Sequence, residues 1–237
     1  MSTLGTSFGT AAADYESGRP TYPPDAVAWL LGTAPLRVAD VGAGTGKLTR
    51  ELVRQGHDVT AVDPDPGMLE ALSLAVPGTP VSVGAAERLP LADASVDALT
   101  FGQSWHWVDV AQASAEAARV VRPGGVLGLI WNLRDDRKDW VRQLGEIINS
   151  PEMIREDHFG VPAEKRDFTW THEIGLDRLL DLVASRSYVI LLGEQERAEL
   201  LTRVRRLTET HPALTGRTTF ALPYVTHCVR LDLTPVG

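Results

Sequence analysis

Three glycines followed by an acidic residue form the most informative pattern in the sequence. The apolar run Val38–Val41 breaks into the turn Gly42-Ala43-Gly44-Thr45-Gly46. Glycine has no Cβ and accepts positive φ, so a turn of this kind after a strand lets the backbone approach a ligand closely. Asp63 ends the next apolar run, 21 residues after Gly42, where a carboxylate can accept both ribose hydroxyls of a nucleotide. The alternative is that Asp63 only forms a turn or caps a helix.

The residues around the glycine turn narrow the choice of nucleotide. A dinucleotide-binding fingerprint has a third Gly or Ala where Lys47 stands. A phosphate-binding P-loop needs Gly at the position of Val41 and Ser or Thr at that of Leu48. Neither motif fits. An NAD-binding oxidoreductase therefore stays open only as an alternative that Lys47 disfavours.

A second stretch, Phe101–Trp107, follows another apolar run and should reach the same edge of a sheet. His106 titrates near neutrality and could take a proton from a hydroxyl or an amine. The flanking Trp105 and Trp107 could contact a cation or line an apolar pocket. The alternative places both tryptophans in the core and makes His106 a hydrogen-bonded edge residue.

Short apolar strands alternate with amphipathic helices, which predicts an α/β fold with a doubly wound, mostly parallel sheet and helices on both faces. Asp25 and Asp65 are the expected caps of two helices, and Pro123-Gly124-Gly125 the expected end of another. The predicted strands before residue 132 are 36–41, 59–63, 81–83, 96–101 and 126–131. The predicted helices there are 26–31, 45–55, one opening at Asp65, and 109–121. Beyond residue 165 the pattern predicts strands at 168–172 and 222–233 and helices at 176–183 and 195–210.

We interpret residues 1–237 as a single domain with a cap. Residues 1–24 form an arm that folds over the site, and 25–132 form the binding core. Residues 133–165 are a helical insertion, and 166–237 complete the sheet. The arm and the insertion together make the cap.

The composition excludes several classes of partner. The formal net charge is −8 and Cys228 is the single cysteine, so the chain should repel nucleic acid and anionic membranes and holds no internal disulfide. The histidines lack metal-ligand spacing, which predicts no metal site. We expect a cytoplasmic protein that acts on a small molecule, and a homodimer stays open.

Four segments resemble motifs of the class I S-adenosylmethionine (SAM) dependent methyltransferases. Asp40–Gly46 is similar to the first motif, Ala61-Val62-Asp63-Pro64 to the second, and Gly84–Pro90 to the loop that holds adenine. Ser104-Trp105-His106-Trp107 resembles the Ala-Phe-His-Trp signature of a small-molecule branch, methyltransferase type 11, that includes trans-aconitate methyltransferase-like proteins. The resemblance implies a Rossmann-like seven-stranded sheet, SAM as cofactor and S-adenosylhomocysteine (SAH) as product.

The resemblance also implies site residues. SAM would be bound by Tyr15, Arg19, Asp40, Gly42, Ala43, Gly44, Thr45, Asp63, Pro64, Met68, Ala85, Ala86, Glu87, Gln103 and Ser104. Many family members have Asp where this chain has Ala85, so the Ala86 backbone is the expected donor to adenine. The substrate pocket would be lined by Tyr22, Trp105, His106, Trp107 and Trp131.

The predicted reaction is methyl transfer to the oxygen of a small molecule, either a carboxylate or a hydroxyl. A carboxylate needs no base, whereas a hydroxyl would use His106 as the catalytic residue. Transfer to nitrogen or carbon, and SAM binding without catalysis, remain alternatives at this point.

Overall fold

Seven strands alternate with helices in the computed structural model, which describes residues 19–149 and 163–233. The strands are β1 Arg37–Val41, β2 Asp58–Asp63, β3 Val81–Val83, β4 Val96–Gly102, β5 Val121–Arg134, β6 Glu164–Gly175 and β7 Thr219–Leu233. The α-helices are α1 Pro24–Leu31, α2 Lys47–Arg54, α3 Pro66–Ala75, α4 Val110–Val120, α5 Asp139–Ile148, α6 Leu176–Ala184, α7 Ser187–Ile190 and α8 Glu194–Thr210. A short 3₁₀ helix covers Trp105–Trp107.

The seven strands form one sheet in the order β3-β2-β1-β4-β5-β7-β6. Strands β1 to β5 are parallel, and β7 is antiparallel to both of its neighbours. This confirms the predicted fold class. The strand order reverses between β1 and β4, and the carboxyl ends of strands at such a switch point are where open α/β sheets bind ligands. Both the glycine turn after β1 and the 101–107 segment after β4 lie there.

Apolar side chains fill both faces of the sheet. On one face, Phe101, Trp105 and Trp131 pack with α4. On the other, Leu30 of α1 and Leu52 of α2 pack against β1, β4 and β5. The central strands are buried on both sides, which explains why their sequences are apolar without alternation.

A third apolar cluster joins helices α5, α6 and α8 to the last two strands. Trp140 and Leu144 of α5, Leu179 of α6 and Val204 of α8 pack there with Tyr224 of β7. The helix α5 is the described part of the predicted 133–165 insertion. Residues 150–162 of that insertion, and residues 1–18 of the predicted arm, lie outside the described residues.

Two predicted helix boundaries were wrong. Asp25 lies in the first turn of α1, whose N-cap is Pro23. Helix α4 ends at Val120, and Val121 already pairs with Val96. Because Val121 continues the sheet, the Pro123-Gly124-Gly125 segment forms an irregularity within β5 instead of ending a helix. The prediction of Asp65 as the cap of α3 is confirmed, since its carboxylate accepts a hydrogen bond from Gly67 N at 2.8 Å.

Candidate functional site

The glycine turn between β1 and α2 has a backbone that favours glycine. Gly42, Gly44 and Gly46 all have positive φ, at 67°, 55° and 87°. A Cβ added to Gly42 would lie 2.6 Å from Cβ of Ser104, and the Ser104 hydroxyl donates to the Val41 carbonyl at 2.8 Å. The turn is therefore packed directly against the end of β4, and any side chain at position 42 would separate the two segments.

Asp63 lies at the end of β2 with its carboxylate directed at the glycine turn. Gly44 N donates to Oδ2 at 2.8 Å and Asp65 N donates to Oδ1 at 2.9 Å. Burial raises the pKa of Asp63, although these two backbone donors oppose the shift. A carboxylate offers about four acceptor positions, so two further hydroxyl donors fit the same group. The capping role that could have explained Asp63 belongs to Asp65.

The structure places Asp40 beneath the turn, away from the surface that a ligand would contact. Its side chain is completely buried. The hydroxyls of Thr49 and Thr100 donate to it at 2.6 and 3.2 Å. Burial raises the pKa of Asp40 to about 6, against the effect of both hydroxyls. The expectation of direct contact with SAM is corrected: Asp40 connects β1, α2 and β4.

The remaining residues of the turn and of α3 surround Asp63. Thr45 and Met68 are buried and Pro64 is exposed. Ala43 packs against a small cluster formed by β2 and α3.

The segment from Gly84 to Glu87 lies beside Asp63, as predicted for an adenine loop. Gly84 N donates to the Asp63 carbonyl at 3.1 Å. Ala86 is buried, while Ala85 is partly exposed. Glu87 accepts a hydrogen bond from Asp109 N at 2.9 Å. This bond holds Glu87 against the residue that caps α4, and its contact with SAM stays a prediction.

Two of the predicted pocket tryptophans lie in the core. Trp105 and Trp131 are completely buried, and Trp105 packs edge-on against Phe101 with ring centroids 4.8 Å apart. Successive side chains of a strand point to opposite faces of the sheet. Trp131 points to the face covered by α4, and Asn132 therefore points to the other face. The expectation that Trp105 and Trp131 line the pocket is thereby corrected. Trp107 is 45% exposed and lies at the surface next to His106.

His106 is partly buried, and its charged form is disfavoured. Burial, together with the positive charge of Arg19, lowers its pKa to about 4. Within the described part of the chain, its buried Nδ1 atom has no hydrogen-bond partner. An imidazole with this pKa is neutral at neutral pH but is a weak proton acceptor there, because a general base works best when its pKa lies near the operating pH.

A pocket opens between the predicted arm, the start of α2, the ends of β4 and β5, and the segment joining α6 to α7. Three of its lining side chains are cationic: Arg19, Lys47 and Arg186. Gln103 and Tyr22, both predicted site residues, also line it. Gln103 has a φ of 58° and donates from Nε2 to the Asn132 carbonyl at 2.8 Å. Tyr15, another predicted arm residue, lies outside the described residues.

Sequence reasoning missed four polar residues of this pocket. Lys47 entered only as evidence against a dinucleotide motif, and Asn132, Arg186 and Tyr224 were given no role. A polar residue such as Asn132 at the end of an apolar strand, next to the switch point, was the available signal. Arg186 and Tyr224 arrive from distant parts of the chain, and the segments around them resemble the family only weakly, which gave neither residue a role.

Asn132 connects the pocket to the predicted arm. Its Nδ2 donates to the Thr21 carbonyl at 3.1 Å, and its Oδ1 accepts from the Thr226 hydroxyl at 2.6 Å. Trp170 Nε1 donates to the same hydroxyl at 2.8 Å. Arg19 donates to the Ser185 carbonyl at 3.0 Å, so the described end of the arm, from residue 19 onward, is held at two points, one of which is Arg19.

Replacing Asn132 by alanine is expected to release the Thr21 end of the arm. The change removes hydrogen bonds from a buried network, which costs about 1–3 kcal/mol in the free energy of unfolding. Thermal or denaturant unfolding measures this cost, and limited proteolysis near residue 21 measures release of the arm. Thr226→Val is the matched control, because it breaks the same network without touching Thr21. Equal proteolysis of both variants would contradict the role given to Asn132.

Comparison with known proteins identifies the class of site. A family model described as a methyltransferase domain matches residues 39–129. An uncharacterised methyltransferase of Mycobacterium bovis is 52% identical over 235 residues and covers 97% of both chains. The chain belongs to the methyltransferase family. A second uncharacterised methyltransferase, from Schizosaccharomyces pombe, is 39% identical over 225 residues and covers 88% of this chain and 90% of its own.

Solved structures agree with this methyltransferase assignment. A structure described as a type II methyltransferase from Anaeromyxobacter dehalogenans superimposes with a TM-score of 0.72 at 25% identity, over 92% of this chain and 99% of its own. A methyltransferase from Anabaena variabilis, with a TM-score of 0.67 at 19% identity over 89% and 96% of the chains, shows the shared fold. The protein is a SAM-dependent methyltransferase of class I.

The residues of this methyltransferase suit the cofactor of its family. The glycine turn exposes backbone next to a carboxylate that retains acceptor capacity, which is what an adenosine ribose needs. Among residues 19–149 and 163–233, no group of three or more His, Cys, Asp or Glu side chains is arranged to hold a metal ion. Over the same residues, no helix has the length and apolar character to span a membrane.

Proposed function

We propose that this methyltransferase transfers a methyl group from SAM to a carboxylate oxygen of a small molecule. The observation that carries the proposal is the wall of the pocket beside Gln103. Its described lining contains Arg19, Lys47 and Arg186, and no acidic side chain from residues 19–149 or 163–233, in a chain whose net charge is −8. A cationic pocket in an acidic protein concentrates anionic ligands.

The SAM side of the site is formed by β1, β2 and their loops. Asp63 would accept hydrogen bonds from the ribose, and the backbone at Gly42 and Gly44 would allow close approach of the rest of the cofactor. The Ala86 backbone and the Met68 side chain would contact the adenine. These roles follow from the hydrogen bond between Gly44 N and Asp63 and from the position of the Gly84–Glu87 segment beside it.

Bound SAM supplies an electrophilic methyl group, which moves to oxygen as a carbon–oxygen bond forms, a carbon–sulfur bond breaks and SAH leaves. The protein has to hold the acceptor oxygen in line and exclude water. Arg19, Lys47 and Arg186 would orient a carboxylate. Residues 19–22, held through Asn132 and Ser185, line one side of the pocket.

Two curated relatives support oxygen as the acceptor atom. Malonyl-[acyl-carrier protein] O-methyltransferases of Methylococcus capsulatus and Dechloromonas aromatica are 37% and 40% identical over 52% and 42% of this chain. Their matches cover less than half of their own lengths. Their names support transfer to oxygen, and the cationic pocket is what favours a carboxylate here.

A hydroxyl acceptor is the second candidate, and His106 favours it. A hydroxyl must lose its proton during transfer, and His106 is the candidate acceptor of that proton, although a pKa of about 4 makes it a weak base. The two candidates separate in a turnover assay that follows SAH release from a panel of small carboxylic acids and alcohols. We expect turnover with acids and base-labile methyl esters as products. Turnover with alcohols alone would contradict the proposal, and tight SAH binding without turnover on any acceptor would indicate a binding protein.

The pH dependence of His106→Gln adds a prediction. Because burial and Arg19 lower the pKa of His106 to about 4, its imidazole is neutral above that pH and should produce no ionisation near 6.5. On a carboxylate acceptor, His106→Gln should leave turnover within about threefold of wild type, with a flat profile between about pH 6 and pH 8. A base on a hydroxyl acceptor would instead contribute about 10²- to 10⁴-fold. The assay is kcat and kcat/KM across pH for matched acid and alcohol acceptors.

The same pKa has a consequence for stability. The folded protein binds the His106 proton less tightly than the unfolded chain does. The contribution of this group to the free energy of unfolding is therefore complete above about pH 6.5 and falls as the pH drops toward about 4. Asp40 acts in the opposite direction over an overlapping range, since its pKa is raised to about 6. Urea unfolding of His106→Gln at several pH values isolates the histidine contribution.

A further inference from the structure

The predicted adenine loop folds back on itself, so that its two halves are in contact. Arg88 N donates to the Ala85 carbonyl at 3.0 Å, and a Cβ added to Gly84 would lie 2.6 Å from Cδ of Pro90. Leu89, which lies between Arg88 and Pro90, is buried. Because the halves are packed together, a shift of the returning half at Leu89 and Pro90 would move the first half as well.

Helix α4 binds the returning half of the loop through two side chains that lie one helical turn apart. The Glu116 carboxylate accepts a hydrogen bond from Leu89 N at 2.7 Å. Arg119 donates from Nη2 to the Leu89 carbonyl at 3.1 Å and from Nη1 to the Leu91 carbonyl at 2.8 Å. Both backbone groups of Leu89 are therefore bonded to charged side chains, and hydrogen bonds of this kind are stronger than those between neutral groups.

The two charged side chains also hold each other in place. Arg119 donates from Nε and Nη2 to the two oxygens of Glu116, at 2.8 and 2.7 Å. These bonds lower the pKa of Glu116 to about 2, so its carboxylate is charged throughout the neutral range. Arg119 Nη1 also donates to Asp93 Oδ1 at 2.8 Å, and the Arg119 carbonyl accepts from Ala94 N at 2.8 Å. One arginine therefore joins α4 to the loop and to the two residues that lead out of it.

We infer that Arg119 and Glu116 are positioning residues for the base of the cofactor: by holding Leu89 they fix the Ala86 N–H that binds adenine. The inference rests on the SAM side of the proposed function and deepens it. Ala86 is buried in the same folded-back loop, and its N–H donates to no protein group within the described residues. A donor held in one position can select a base by the hydrogen-bonding pattern of its edge.

The alternative is that the pair only stabilises α4, and the chain offers a matched control for it. On α2, Arg54 donates from Nε and Nη2 to the two oxygens of Glu51, at 2.8 and 2.7 Å, with the same spacing along the helix. Within the described residues, Arg54 donates to Glu51 alone. Arg54→Met therefore removes an ion pair of the same geometry and no contact with a loop.

The test compares two ligands that differ only in the base: SAH and S-inosylhomocysteine, in which hypoxanthine replaces adenine. Adenine accepts a hydrogen bond at N1, whereas hypoxanthine carries a proton there. The wild-type protein should bind SAH about 10- to 100-fold more tightly, as expected when a buried donor loses its acceptor. Arg119→Met should lower this ratio by about tenfold, and Arg119→Lys should restore part of it. Arg54→Met should keep the wild-type ratio. Calorimetric titration measures both affinities, and urea unfolding measures the stability of each variant.

Glu116→Gln is a second variant that decides the question where Arg119→Met does not fold. It keeps an acceptor for Leu89 N and loses the charge with which Arg119 pairs, so the ratio should fall by a smaller factor. An unchanged ratio in every folded variant of the pair, or an equal fall in Arg54→Met, would overturn the inference and leave the pair a purely structural role.

The remaining outcomes separate this inference from the proposed function. Equal binding of both ligands by the wild-type protein would overturn the inference, and transfer to a carboxylic acid by the same protein would leave the proposed function intact. A ratio that falls as expected, with no turnover of any acid, would support the inference and contradict the proposed acceptor. Failure of the folded wild-type protein to bind SAH would overturn both.

Discussion

Asp63→Ala is expected to weaken SAH binding by about 10- to 100-fold. The carboxylate at the end of β2 is the one charged group directed at the glycine turn among the contacts described, through Gly44 N at 2.8 Å. Hydrogen bonds from two ribose hydroxyls to this charged group would contribute about 1.5–3 kcal/mol. The variant also loses the hydrogen bond from Gly44 N, which makes the glycine turn less rigid and should weaken SAH binding further. Calorimetric titration with SAH measures the change.

Two aspartate variants control for this result. Asp58→Ala removes an exposed carboxylate from the opposite end of the same strand and should leave SAH affinity unchanged. Asp65→Ala removes the cap of α3 and should cost about 1 kcal/mol of stability with a small effect on SAH. Equal SAH affinity in Asp63→Ala and Asp58→Ala would remove Asp63 from the ribose site.

Gly42→Ala should produce a loss of SAH affinity of about 10- to 100-fold for a steric reason. The added Cβ would lie 2.6 Å from Cβ of Ser104, at a φ of 67° that alanine adopts only with strain. Overlap of this kind costs about 1–3 kcal/mol, and the turn relieves it by moving away from β4. SAH titration together with thermal unfolding separates the local change from global destabilisation.

Gly56→Ala is the matched control for Gly42→Ala. Gly56 also has a positive φ, of 88°, but a Cβ there meets no atom within 4 Å. The Gly56→Ala variant should lose about 1 kcal/mol of its free energy of unfolding through backbone strain, and its affinity for SAH should be unchanged. Adding Ser104→Gly to Gly42→Ala removes the atom in the way and should restore part of the binding. Failure of this second substitution to help would contradict the steric explanation.

The fold, the glycine turn and the position of Asp63 at the end of β2 were predictable because their signals are local. A glycine turn after a strand, an aspartate at the end of the next strand and alternating strands and helices all lie within short windows of sequence. The same is true of Asp65 as a cap, since its carboxylate and the Gly67 N–H that it accepts from are two residues apart. These patterns predict which residues lie at the carboxyl edge of the sheet, and at that edge Gly44 N donates a hydrogen bond to Asp63.

The acceptor side was not predictable in the same way, since its residues meet only in the tertiary structure. Arg19 bonds to Ser185 across 166 positions of the chain. Tyr224 reaches the pocket because β7 inserts between β5 and β6. The prediction for Trp131 was wrong for a related reason. The face of the sheet to which a side chain of β5 points depends on where the strand begins, which the local sequence does not show. Trp131 packs against α4, whereas its neighbour Asn132 lines the pocket.

The measurement that tests the central claim most directly is a calorimetric titration of the wild-type protein with SAH, with NADH in a parallel run. The glycine turn and Asp63 predict one site that binds SAH with micromolar affinity and no binding of NADH. NADH binding, or no SAH binding by a folded protein, would contradict the assignment of the turn to SAM and with it every role given to the neighbouring residues.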